Sequence, residues 1–244
     1  MLHDAHFHCE HSSFLKHMKA NEISGIVNIQ NPLQYTKLKQ YITDSNGIWM
    51  SAGIHPWDVE TVRWEDLLPI MEKATVIGEV GMDNVWCQSD IHMQTEILNR
   101  SLRYACAHHK PVILHTKGME KKVLSYIKRY PNTYLVHWYS CENYIQNYME
   151  YGCYFTVGPS IVNDAAVRKV AELVPLNHLM IESDGLDALS WCENRKVTMN
   201  GYRELLIRSI KEIAKIKHVS FTTAQNQLNQ TFHHFLDLTK SIRK

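Results

Sequence analysis

The sequence predicts an α/β fold, a (β/α)8 TIM barrel folded as a single domain over residues 1–244, and three observations carry that prediction. Eight short β-like runs recur along the chain, with stretches of helical spacing between them. Several of these runs are apolar on both faces, as in Val112-Ile113-Leu114 and Leu179-Met180-Ile181, which suits parallel strands covered by helices. The alternation also fills a length typical of such barrels. A doubly wound open sheet is disfavoured, because the first strand carries no GxGxxG and no GxxxxGK(S/T) occurs.

Taken in order, strands are expected at residues 3–8, 25–29, 48–53, 75–79, 111–115, 133–137, 154–157 and 178–182. The clearest helical stretches are 90–108, 121–129, 142–151, 165–174 and 203–217, followed by a last helix over 222–238 capped by Ser220 or Thr222. Lys and Arg number 26 against 25 Asp and Glu, so no overall field favours a polyanion and any phosphate contact must be local. Six cysteines (Cys9, Cys87, Cys106, Cys141, Cys153 and Cys192) are scattered without a CxxC pair and read as reduced thiols. The amino terminus lacks the basic-then-apolar order of a signal peptide, and no apolar run approaches the ~18 residues of a membrane span. A soluble, cytoplasmic protein is expected.

Chemistry concentrates first at Asp4-Ala5-His6-Phe7-His8. Alternation along a strand predicts that Asp4, His6 and His8 share one face while Ala5, Phe7 and Cys9 take the other. Two imidazoles side by side on an inward face are costly to desolvate unpaired, and a divalent cation satisfies both. On the strand map His6 and His8 end strand one, Glu79 strand four, His115 strand five and His137 strand six, and Asp184 follows strand eight closely. In a parallel barrel those ends form a single mouth. Four imidazoles and two carboxylates are too many for one tetrahedral ion, yet suit two ions sharing a bridging carboxylate. Glu79, flanked by Gly78 and Gly81, fits the bridge. His92, His108, His109, His233 and His234 fall on helices and are read as structural or exposed, and Asp83 and Asp187 as ordinary loop acids. Trp86, Trp138, Tyr139 and Trp191 are expected in mouth loops, as stacking platforms or as lid packing.

The segments Asp4-Ala5-His6-Phe7-His8, Gly53-Ile54-His55-Pro56, Gly78-Glu79-Val80-Gly81-Met82-Asp83 and Pro111-Val112-Ile113-Leu114-His115, then His137, Glu182-Ser183-Asp184 and Asn229-Gln230-Thr231-Phe232, resemble the successive motifs of TatD-like metal-dependent deoxyribonucleases. The resemblance implies a metallo-dependent hydrolase barrel with two divalent ions (Mg²⁺, Mn²⁺ or Zn²⁺) that hydrolyses phosphodiesters. It often implies a 3′ exonuclease, acting here on single-stranded DNA or DNA ends. It places His6, His8, Glu79 and Asp184 around one ion, and Glu79, His115 and His137 around the other. Asp184 would accept the proton of the attacking water, and Lys117 would bind non-bridging oxygens. His55 would join Lys117 there, or merely cap its turn. Three departures stand out. Thr116-Lys117 replaces the family's serine and arginine, keeping the charge but losing the bidentate fork. Trp138-Tyr139-Ser140-Cys141 is bulkier than usual, and Gly185-Leu186-Asp187 replaces a proline turn.

Two rivals remain at this level. An amidohydrolase or lactonase acting on a small substrate would share the scaffold, but commonly bridges its metals with a carboxylated lysine where this chain has Glu79. A non-catalytic, metal-stabilised binding protein would have no need of Asp184.

Overall fold

The computed structural model describes residues 2–238. Its strands β1 (Leu2–Phe7), β2 (Ile23–Ile29), β3 (Ile48–Ala52), β4 (Val76–Gly81), β5 (Val112–His115), β6 (Tyr134–Val136), β7 (Tyr154–Val157) and β8 (Leu179–Ile181) pair in parallel and in sequence order. Around them run α1 (Ser12–Ala20), α2 (Pro32–Leu38), α3 (Trp64–Met71), α4 (Ile91–Ala107), α5 (Glu120–Ile127), α6 (Ile145–Glu150), α7 (Ala165–Leu173), α8 (Leu186–Cys192), α9 (Met199–Ile216) and α10 (Phe221–Leu238). This is the expected (β/α)8 barrel. The seam between β8 and β1 is closed by Asp184 N–H donating to the His6 carbonyl at 3.1 Å. Asp4 Oδ1 also accepts from the Ser183 N–H at 2.9 Å, and His3 Nε2 from the Ile181 N–H at 3.2 Å.

Helices α1, α2, α3 and α8 were not expected. Each spans only seven to nine residues, and α1 and α3 segregate their apolar faces less sharply than the equally short α5 and α7, which were expected. Ser220 rather than Thr222 caps α10, accepting from the Thr223 N–H at 3.0 Å.

Strict alternation along β1 fails. The β1–β2 register slips between Asp4 and Phe7, and this irregularity turns Asp4 away from the histidines. Asp4 instead accepts from the Tyr202 hydroxyl of α9 at 2.7 Å, on the helix side of the sheet, and burial pushes its carboxyl up to about 7. Ala5 faces the barrel axis, packed with Ile26, Val76, Ile113, Leu135, Tyr154 and Met180.

That inner layer is plugged from below by Phe232, Phe235 and Leu236 of α10. His3 joins the plug, stacking on Phe232 with centroids 4.8 Å apart. Its Nε2 accepts from Ile181, so the proton sits on Nδ1 and is donated to Asn229 Oδ1 at 2.7 Å; burial keeps the ring neutral, with its pKa pushed down to about 4. Above the apolar layer the axis turns polar, with buried Asn28, Ser51, Thr156 and Glu182. Buried polar groups need partners, and these form the floor on which the mouth is built.

Candidate metal centre

Each candidate side chain reaches the mouth from a strand end. His6 lies in β1 and Glu79 in β4, His115 ends β5, and His8, His137, His55 and Asp184 follow β1, β6, β3 and β8 within three residues. Two glycines let these ends approach. A Cβ on Gly81 would stand 1.9 Å from the His115 carbonyl oxygen, so β4 and β5 close up beside Glu79 only without one. Gly185 has φ +96°, and a Cβ there would meet the His8 carbonyl oxygen at 2.5 Å. Between them Asp184 adopts φ 60°, a left-handed conformation that Asp tolerates better than most residues and that recurs at functional sites.

The buried Glu79 carboxylate has two distinct sides. Oε2 lies 3.1 Å from both His6 Nε2 and His8 Nε2. Oε1 lies 2.6 Å from His115 Nδ1 and from His137 Nε2, and 3.3 Å from His55 Nε2. Its backbone N–H is fixed by Asn28 Oδ1 at 2.6 Å, which also accepts from Ser51 Oγ.

The set on the Oε2 side fits a cation. His6 Nε2 and His8 Nε2 are 3.2 Å apart, and Asp184 Oδ1 lies 3.4 and 3.3 Å from them. Ligands held 2.0–2.1 Å from a tetrahedral ion stand about 3.3–3.4 Å apart, close to all of these separations. Asp184 Oδ1 is also buried without a hydrogen-bond partner, and a cation would satisfy it. On the Oε1 side His115 Nδ1 and His137 Nε2 are 3.1 Å apart and sit at hydrogen-bonding distance from the carboxylate, so a second cation there would exchange with their protons.

The field of the site favours positive charge. Burial opposes protonation of His6, yet Asp184 and Glu79 carry its pKa up to about 9. His115 and His137 are raised against burial by the same Glu79 and by Asp83 and Glu182 respectively. Glu79 and Asp184 are correspondingly held below the ordinary carboxylate range by the surrounding imidazoles, although burial resists. His55 goes the other way, lowered by burial. Its Nδ1 accepts from the Trp57 N–H at 3.2 Å, so it does cap its turn, and its proton sits on Nε2 facing Glu79. That makes His55 a donor rather than a ligand, although its ring atoms lie near those of Glu79 and His115.

Several supporting residues escaped the sequence reading. Asp83 is fully buried, not a solvated loop acid. Its Oδ2 accepts from His115 Nε2 at 3.0 Å and Trp57 Nε1 at 2.8 Å, and its Oδ1 from the backbone of Val85 and Trp86. His115 is thereby oriented with Nδ1 toward Glu79. Glu182 lies 3.7 Å from His137 Nδ1 and accepts from the Trp138 N–H. The one available signal was that both acids belong to the quoted strand-end motifs. Lys117 is half-buried in the same cleft, its Nζ donating to Ser140 Oγ at 2.7 Å. Trp86, Trp138 and Trp191 line the cleft, whereas Tyr139 is buried against Tyr148 and Phe155. The expectation of Tyr139 in a mouth loop is therefore corrected: its ring completes the core, and its hydroxyl donates to the Asn143 carbonyl.

Compared with known proteins, the chain matches the family model described as TatD related DNase over residues 3–237. It is 28% identical over 152 residues to the uncharacterized metal-dependent hydrolase YjjV of Escherichia coli, covering 57% of this chain and 59% of that protein. The chain thus spans less than two thirds of that relative's length. It is 24% identical over 148 residues to a protein named 3′-5′ ssDNA/RNA exonuclease TatD from Enterobacter lignolyticus, covering 56% and 57%. In three dimensions it superposes on the crystal structure of Escherichia coli YjjV with a TM-score of 0.82 at 18% identity, over 96% and 97% of the two chains.

Proposed function

Since the chain belongs to the TatD related DNase family, we propose, with support from the name of the YjjV relative, that it is a metal-dependent hydrolase that cleaves phosphodiester bonds of nucleic acid using two divalent ions. One is held by His6, His8, Glu79 and Asp184, the other by Glu79, His115 and His137. The two-sidedness of Glu79, whose oxygens face separate imidazole pairs, is the observation that carries this reading. Mixed imidazole and carboxylate donors suit Zn²⁺, Mn²⁺ or Fe²⁺ by softness, and the family resemblance adds Mg²⁺.

When bound, such ions acidify a water and offset charge on the phosphoryl oxygens. The side chains supply the rest. Asp184, mostly buried at the edge of the cleft and held ionised by His6 and His8, accepts the water's proton. Lys117 and the Nε2–H of His55 hold non-bridging oxygens as charge accumulates. Digestion from a 3′ end, of single-stranded DNA or DNA ends, is supported by the name of the Enterobacter relative. A cytoplasmic setting is supported by six cysteines that form no disulfide. Among the described residues, no helix is long and apolar enough to cross a membrane.

The test is hydrolysis of a single-stranded oligodeoxynucleotide labelled at one end or the other, with each metal added in turn. The expected result is mononucleotide release from the 3′ end that EDTA abolishes. Cleavage insensitive to EDTA, or none with any of these metals, contradicts the proposal.

A further inference from the structure

Two indoles stand on the rim of the cleft with no structural duty. Trp86, in the β4–α4 connection, is 57% exposed and Trp191, in α8, is 65% exposed; their rings meet edge to face, 5.9 Å apart at 82°. Large aromatic side chains left this open are costly to hydrate and mark recognition surfaces. Trp86 is also pinned, because its backbone N–H donates to Asp83 Oδ1 at 2.8 Å while the other oxygen of Asp83 holds His115. Both rings line the same cavity, of about 1200 Å³, as His8, Glu79 and Asp184.

The charge around that cavity narrows what enters it. Among the described residues lining it, Lys117 is the one lysine and no arginine joins it, whereas Glu10, Asp58, Glu120, Asp164 and Asp187 all line it. A duplex carries a dense row of phosphates on both strands and needs a basic track; this wall repels one. A single unpaired nucleotide needs one phosphate contact and one stacking surface, and the cleft offers both.

We propose that Trp86 and Trp191 form a base-stacking jaw that holds one unpaired nucleobase at the end of the single-stranded substrate. The corner between the rings presents a face and an edge, and stacking on an aromatic face is sequence-tolerant, so recognition tolerates any base. This inference rests on the phosphodiesterase reading and adds two specificity-determining residues.

The experiment compares a tetrathymidylate with an abasic tetramer of the same backbone, both end-labelled. Binding to the full-length protein is read by fluorescence anisotropy in EDTA, and KM in Mn²⁺. Stacking predicts about tenfold or more preference for the base-bearing strand, falling to about threefold or less in Trp86→Ala and in Trp191→Ala and restored in large part by phenylalanine. Equal affinity and equal KM for the two tetramers in the wild type overturn the jaw, as does a preference that survives both alanine variants. If metal-free binding is too weak to read, the KM ratio alone decides. Hydrolysis of both tetramers without base preference sinks the jaw and spares the phosphodiesterase reading, whereas hydrolysis of neither sinks the reading itself.

Discussion

Glu79 and Asp184 are both carboxylates at one mouth, yet they sit differently: Glu79 is fully buried with imidazoles on both oxygens, while the Asp184 side chain is 23% exposed beside His6 and His8. Glu79→Gln replaces a charged bridge by a neutral amide and is expected to weaken both ions together in metal analysis. Asp184→Asn should keep much of the metal while turnover falls by about 10² to 10⁴, the usual cost of losing a general base; near-normal turnover would show that the proton goes elsewhere. Asp83 acts through His115, so Asp83→Ala is expected to lower affinity for one ion by about 10 to 100-fold and to leave the other nearly unchanged in a calorimetric titration. Equal loss at both would argue for a general structural role. The ligand-type residues could be read from sequence because each is a metal-binding side chain at the end of an apolar run. Asp83, Asn28 and Glu182 could not be read this way, since an acid or amide beside a strand has no pattern that tells buried from solvated.

At the scale of elements, the strands were legible because most are buried on both faces and several write apolar runs. The short helices α1, α2, α3 and α8 were not, and among them α1 and α3 show a weaker apolar face than α5 and α7 of the same length. The register slip in β1 was also invisible, since alternation assumes an unbroken ladder. Helix α10 gives the sharpest elemental test. Its Phe232 closes the amino-terminal end of the barrel and stacks on His3, far from the ligand-bearing strand ends. Phe232→Ala is expected to cost about 3 to 5 kcal/mol in denaturant unfolding, with metal content per folded molecule unchanged. A loss of metal without a loss of stability would mean that the two ends are not independent.

For the molecule as a whole, a formal net charge of +1 and a cleft lined, among the described residues, by a single lysine set how it meets a polyanion. Few counterions are released when one or two phosphates are engaged, and on a single strand the slope is about −0.7 per phosphate. The affinity for an oligonucleotide should therefore fall with salt with a log–log slope of about −1 rather than −5 or steeper, measured by anisotropy from low to moderate ionic strength. A steep slope would reveal a basic track elsewhere on the surface. The barrel itself could be foreseen from length and rhythm, whereas the acidic wall and the indole pair depend on loops whose placement no local pattern encodes. The central claim is that Glu79 stands between two divalent ions at the carboxyl-terminal mouth. Anomalous diffraction from Mn²⁺-soaked crystals tests it most directly: two peaks are expected, one among His6, His8, Glu79 and Asp184 and one beside His115, His137 and Glu79. A peak elsewhere, or none at saturating metal, would contradict it.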